Sequence, residues 1–392
     1  MRVLVVDCNL RYMNPMRALL PFYISSSSEE VTFFGPGYCS SQDIDRGLVN
    51  FVEREGPFDI EVRTVQSLPS SIIDSISSNF VDSKLSFYKR SFAYTFKSHD
   101  LETFWRDKGL DRSFASKRVV LLHQYDFQAM TENFRDYVLT GFDLIVGLSR
   151  EFWESHDYKA LNLSNEYKHT NCWSEVLESS DEKTLGLPNF VAPHEFDFNH
   201  HSNRRYEWSV VGTTYKNRGL VKELFSENSI SYTAGRSWRY MSLQLKERFK
   251  LNPFNSRRNL DVLNQEFQYS LVNPKYGYTC GSDLKMPIRK FFEIPAAGCT
   301  LVASPCSGFQ NLGFIDSVNS IVCEPQDILD VAKELKHNPA KGQAIAKAGQ
   351  RLVLEKHSVL KRSEQLWAAI RLVHRGKYKG AVWSNGDILF HD

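Results

Sequence analysis

The chain has 392 residues, 42% hydrophobic and 24% charged, which are globular values at a length that calls for two domains of about 150–200 residues. The 48 Lys and Arg nearly balance 46 Asp and Glu, and the net charge of +2 excludes the basic footprint of a nucleic-acid-binding protein. No window approaches the roughly eighteen apolar residues of a membrane span, and the seven scattered cysteines include no C-x-x-C pair, which points to a reducing cytoplasm without structural zinc.

RVLVVD (2–7) reads as a buried first strand of a parallel sheet, and it is only half the length of a signal peptide's apolar core. The loop that follows carries Asn9, Arg11, Tyr12 and Asn14 at the strand's carboxyl end, where open α/β sheets place ligands, so these residues are candidates to face an acceptor. It lacks G-x-G-x-x-G, and no dinucleotide cofactor is expected. Residues 58–65 alternate like another strand. Residues 67–116 are polar: SLPSSIIDSISSNF starts like a capped helix, and LSFYKRSFAYTF reads as a solvated helix with a buried ring face, its alternative being contact with a lipid-linked or anionic acceptor. RVVLLHQ (118–124) and FDLIVGL (142–148) are strands, and their alternation with helices argues for a doubly wound domain. The end of the first of them carries His123 and Asp126. Either would take a proton from an acceptor hydroxyl there; the alternative is a His bonded to backbone and an N-capping Asp.

LGLPNFVAPHEFDFNHHSN (185–203) changes character and reads as the end of the first domain and a linker. His194 and Glu195 follow Pro193 and would line an interdomain cleft, with His194 the acceptor-side candidate. His200 and His201 are adjacent and project differently, and no metal ligand set is expected. After a strand at Trp208–Val211, the turn Gly212-Thr213-Thr214 leads through Lys216 and Arg218 into a helix. Glycine permits close backbone approach, helix-start N–H groups favour phosphate, and the two basic residues add positive charge. A strand (SISYTAG) ends near Trp238, a candidate base-stacking ring. A basic helical stretch and a second helix then precede a strand at SLVNPKYG. Lys275–Gly281, Tyr276 included, would form a wall against a donor sugar. Met286, Phe292 and Ala296 lie close to helical spacing, Gly298 is a helix stop, and Thr300–Ser304 is a buried strand. Arg289 and Glu293, four apart, share one helix face with Lys290 beside them. This is either a surface salt bridge or a nucleotide site, a carboxylate suiting two ribose hydroxyls and basic groups a diphosphate.

From Tyr269 to Trp367 the order is a strand, the Arg-Lys-x-x-Glu helix, Ala-Ala-Gly, a strand, a Gly308 loop, a strand (SIVCEP) and two helices carrying KAGQRLVLEKHS. This resembles the C-terminal half of GT-B glycosyltransferases, in particular the group that includes the spore-maturation-protein-type transferases. The Gly212–Arg218 segment is similar to their VGxxYxxR loop. The resemblance implies an α/β protein of two Rossmann-like, doubly wound domains facing a cleft. Residues 1–200 would be the acceptor side, 201–365 the nucleotide-sugar domain, and 366–392 a helix and tail packing back on the first. It implies transfer of a sugar from a nucleotide-sugar donor to a glycan or lipid-linked acceptor in cell-surface polysaccharide biosynthesis, without metal or further cofactor. Gly212, Thr213, Thr214, Lys216, Arg218, Tyr276, Arg289, Lys290 and Glu293 would form the donor site. The alternatives are a nucleotide-sugar 2-epimerase of the same architecture and a degenerate binding module. Many relatives carry an acid a few residues past the Gly308 turn; Gln310 and Asn311 stand here instead, leaving sugar recognition open. The helical tail, basic at its end, is expected to pack on the first domain, the alternative being peripheral contact with the inner face of a membrane.

Overall fold

A computed structural model of the chain describes residues 1–8, 29–69, 71–72, 98–122, 131–147, 149–152, 176–177, 181–199, 201–212, 214, 216–234, 241–242, 257–281 and 285–391. Two parallel sheets organise it. The first holds β1 (Arg2–Val6), β2 (Glu30–Phe34), β3 (Ile60–Thr64), β4 (Lys117–Leu121), β5 (Leu144–Gly147) and β6 (Thr184–Gly186) in the order β2-β1-β3-β4-β5-β6. Val3 to Val6 are fully buried, as a strand covered on both faces must be. Among the described residues, three helices accompany this sheet: α1 (Ser41–Glu55), α2 (Ser98–Trp105) and α3 (Glu132–Gly141). Ser40 and Thr131 cap α1 and α3 through side-chain oxygens that accept from the N–H groups of Asp43 and Phe134.

The second sheet has the order β11-β10-β9-β7-β8, from β7 (Tyr206–Ser209), β8 (Tyr232–Thr233), β9 (Pro274–Thr279), β10 (Thr300–Ala303) and β11 (Ile321–Val322). Its helices are α4 (Lys216–Glu227), α5 (Arg257–Val272), α6 (Lys290–Ala296), α7 (Ile328–His337) and α8 (Pro339–Lys356). Gly298, at φ +73°, stops the chain just past α6, as its place after Ala-Ala predicts. α9 (Val359–His374) then returns to the first sheet, burying Leu366, Trp367, Ile370 and Val373 against Val3, Ile60 and Val119. Arg371 of α9 pairs with Glu29 at 2.9 Å, so this helix spends both its apolar face and a basic residue on the protein itself. The chain ends in a hairpin, β12 (Ala381–Ser384) and β13 (Asp387–Phe390). Among the described residues no helix is long and apolar enough to cross a membrane.

Three local expectations are corrected. Ser270–Val272 are the last turn of α5, not the start of a strand; the apolar run reads either way until Asn273-Pro274 breaks the helix. The segment read as linker begins with β6, a strand of three residues, too short to show alternation. α6 starts at Lys290, with Met286 buried ahead of it in non-helical chain.

Behind the return of α9 lies a buried polar pin. His357 donates from Nε2 to the Leu312 carbonyl (2.8 Å), and its Nδ1 accepts from Arg362 (2.6 Å). Arg362 also donates to the carbonyls of Pro188 (3.1 Å) and Lys356 (3.0 Å) and lies over the Trp383 ring, with burial pulling it down to about 9. Burial first, then the Arg362 charge, hold His357 well below its usual 6.5. The folded chain therefore refuses a proton that the unfolded chain accepts below pH 6.5, and stability falls as pH falls through that value. Urea unfolding should lose up to about 1.4 kcal/mol per pH unit below pH 6.5, and His357→Gln should remove that part of the slope. An unchanged slope in the variant would assign the acid sensitivity elsewhere.

Candidate functional site

β7, β9 and β10 are parallel neighbours in the second sheet, so their carboxyl ends lie side by side. Past β7 the chain runs through buried Val210 and Val211 to Gly212, whose φ is +98°. A Cβ at Gly212 would stand 2.5 Å from Lys290 Cε, 2.9 Å from Lys290 Nζ and 3.0 Å from an Arg218 guanidinium nitrogen. Glycine is thus required twice, for its backbone angle and for the two cations that close over it. Arg218, on the first turn of α4, is only 1% exposed. Lys290, at the start of α6, is half-buried with its ammonium 5.2 Å from the centre of the Phe267 ring.

Arg289 precedes α6 and Glu293 lies one turn into it; their side chains meet at 3.2 Å. The sequence spacing is realised as an ion pair, but not as the exposed one that a surface salt bridge would be: Glu293 is 5% exposed. Arg289 pairs with a second acid, Glu195. Desolvation lowers the Lys290 ammonium below its ordinary range, the cations Arg218 and Arg289 lower it further, and Glu293 opposes them. Three cations and two carboxylates thus share one partly desolvated corner.

The structure brings Gly212, Arg218, Arg289, Lys290 and Glu293 together. Thr214 and Lys216 stand exposed at the start of α4, where the Thr214 hydroxyl accepts from Lys222 at 3.0 Å. Tyr276 is not a cleft wall. It sits well before the carboxyl end of β9, 3% exposed against Trp208 and His201, and donates to the Leu335 carbonyl at 3.3 Å. Tyr278 is buried likewise, because residues two apart on a strand share a face, here the one under α4 and α7. Thr213, Trp238, His123, Asp126, Asn9, Arg11 and Tyr12 lie outside the described residues.

His194 and Glu195, both expected to line a cleft, are placed differently. His194 is exposed, while Glu195 is 9% exposed and turned inward onto Arg289, its other oxygen accepting from the Ala192 N–H at 2.7 Å. A proline opening a single turn, with an acid at its third position, is the sequence sign of this self-capped turn. Asn311 is occupied too: its amide donates to the Trp383 carbonyl at 3.1 Å, fixing the terminal hairpin. Ser304, past β10, was not singled out by sequence; it joins Tyr278 (2.7 Å) and Asn217 of α4 (3.4 Å) and ties two strand ends to the helix above them.

Gly212→Ala is expected to strain the backbone and push the Lys290 ammonium aside. The strain is about 1–2 kcal/mol, readable as a lower unfolding midpoint. No further loss in Gly212→Ala/Lys290→Ala relative to Lys290→Ala alone would locate the cost in the steric clash; an undiminished loss would locate it in the backbone.

Residues 248–368 match the family model for glycosyl transferase-like proteins. Sucrose-phosphate synthase from Thermosynechococcus elongatus aligns with 96% of this chain and 100% of its own, at 10% identity and a TM-score of 0.51. This is the GT-B fold. Other GT-B structures align at lower scores. A glycosyltransferase from Rickettsia africae aligns at 11% identity and TM-score 0.48, covering 95% of this chain and 98% of that one. HepE from Anabaena, in complex with UDP and glucose, aligns at 11% identity and 0.44, covering 95% and 99%. No curated protein matches in sequence. The stretch matched by the family model contains α6 with Arg289, Lys290 and Glu293, whereas Gly212 and Arg218 reach the same corner of the GT-B fold from outside it.

Proposed function

We propose that the chain is a glycosyltransferase that takes its sugar from a nucleoside-diphosphate sugar and passes it to a hydroxyl of a glycan or lipid-linked acceptor. The observation that carries the reading is the convergence of Gly212, Arg218, Arg289, Lys290 and Glu293 at the carboxyl ends of the second sheet. In the transfer, the acceptor oxygen forms a bond to the anomeric carbon, the bond from that carbon to the diphosphate breaks, and the diphosphate leaves with the electron pair. The chain's task is to hold that developing charge. Lys290, Arg218 and Arg289 do so from a corner where water is largely excluded, which strengthens each interaction. Glu293 accepts from the ribose hydroxyls while it keeps its contact with Arg289. The acceptor's proton goes to His123 or Asp126, and Asn9, Arg11 and Tyr12 lie on the acceptor's path. With three cations on the leaving group, the reaction proceeds without metal in this reading. Cell-surface polysaccharide assembly on the cytoplasmic side of a membrane is the setting that suits such an acceptor.

The test is turnover of UDP-, GDP-, TDP- and ADP-sugars with and without glycan acceptors, followed by release of nucleoside diphosphate and by the product's anomeric configuration. Slow release from one donor, accelerated by an acceptor, is expected. Inversion at C2 of the donor sugar without any acceptor would make the chain an epimerase. Neither reaction would leave a binding module.

A further inference from the structure

Glu195 reaches the cationic corner from the segment joining the two sheets, not from the second sheet's own helices. The turn that carries it is firmly held. Its carbonyl accepts from Gln268 of α5 at 3.3 Å, and the Asp197 N–H beyond it donates to Ala296 at the end of α6, 3.1 Å. Gln350 of α8 clamps the Asp197 carbonyl at 2.7 Å. The guanidinium of Arg289 therefore faces two buried carboxylates, one from its own helix and one from the connecting segment. An incoming phosphate that takes the Arg289 guanidinium competes with these two carboxylates. Glu293 lies one turn beyond Arg289 in the same stretch of chain. Glu195 belongs to another segment.

We propose that Glu195 is a specificity-determining counter-ion: it occupies Arg289 in the ligand-free protein, and a donor must carry a diphosphate to displace it. This rests on the nucleotide-site reading above. A nucleoside alone leaves the Glu195–Arg289 pair in place, while a diphosphate takes the guanidinium and releases the Glu195 side chain. Burial raises the Glu195 carboxyl above its ordinary range despite the Arg289 charge, as expected of an acid held in a costly position.

The test titrates the nucleoside, monophosphate and diphosphate of the favoured base into the wild type, Glu195→Gln and Glu195→Ala by calorimetry. Gln keeps an oxygen for the guanidinium without the charge, and Ala covers the case in which Gln disturbs the turn; unfolding midpoints confirm that both are folded. Diphosphate affinity is expected to rise roughly three- to tenfold in both variants, with nucleoside affinity unchanged, so the diphosphate-to-nucleoside ratio rises. A merely structural Glu195 would lower both affinities together. An unchanged or lower ratio overturns the proposal while leaving the nucleotide site standing. A wild type that binds none of UDP, GDP, TDP, ADP and CMP overturns the site reading itself, and this inference with it.

Discussion

Lys290→Met is expected to weaken nucleoside-diphosphate binding by about 2–4 kcal/mol, the usual cost of truncating one partner of a buried, hydrogen-bonded charge pair, and at the same time to raise the unfolding midpoint. The two signs come from one cause. The Lys290 ammonium is held close to Gly212, beside Arg218 and Arg289, in a place where desolvation already disfavours its charge. Without ligand that charge is a burden on the fold. Because its folded-state affinity for a proton is below the unfolded value, the burden is fully present below the folded pKa and lifts as pH rises from there towards the unfolded value. Methionine has nearly the length of the lysine stem and fits between Gly212 and the Phe267 ring without the charge. A site built for an anion predicts weaker binding with greater stability. A variant that loses both stability and affinity would make Lys290 an ordinary packing residue.

Arg204→Ala should have the largest effect on stability, a loss of about 3–5 kcal/mol in urea unfolding. Arg204 is 6% exposed and donates to the carbonyls of Val272 (2.7 Å), Pro274 (3.1 Å), Ala297 (2.8 Å) and Asn199 (3.2 Å). These four belong to the end of α5, the start of β9, the end of α6 and the connecting segment. One guanidinium thus satisfies the backbone where three elements break off, and its removal leaves several buried carbonyls without a donor. Arg204→Lys should recover little, since an ammonium cannot reproduce the planar fork. A loss below about 1 kcal/mol, the range of ordinary surface substitutions, would show that water replaces the guanidinium in these contacts.

The parts of this fold legible in the sequence are those in which one physical signal dominates. RVLVV, RVVLL and LIVG are continuous apolar runs, and each is a strand buried on both faces. Arg289 and Glu293 were paired by helical spacing alone, and their side chains do meet. What was not legible has equally definite reasons. The strands read from SISYTAG and SIVCEP are present as β8 and β11, but each holds only two residues, and nothing in either run marks so short a pairing. Tyr276 is aromatic and close in sequence to the site, yet pleating turns it under the helices; nothing in a strand's composition says which face meets a ligand. Glu195 lies 94 residues before Arg289, and only the fold closes that distance. Sequence did mark residues 185–203 as a connecting segment, but not the turn at Pro193 or which of the two polar side chains after it points inward.

The claim that everything else depends on is that this corner binds a nucleotide. Calorimetric titration of UDP, GDP, TDP, ADP and CMP into the wild type and into Lys290→Met tests it most directly. The account predicts that one of the diphosphates binds the wild type and that the variant, folded and with a higher unfolding midpoint, binds it at least tenfold more weakly, a difference of about 1.4 kcal/mol or more. Equal binding by the two proteins, or no binding by either, would contradict it.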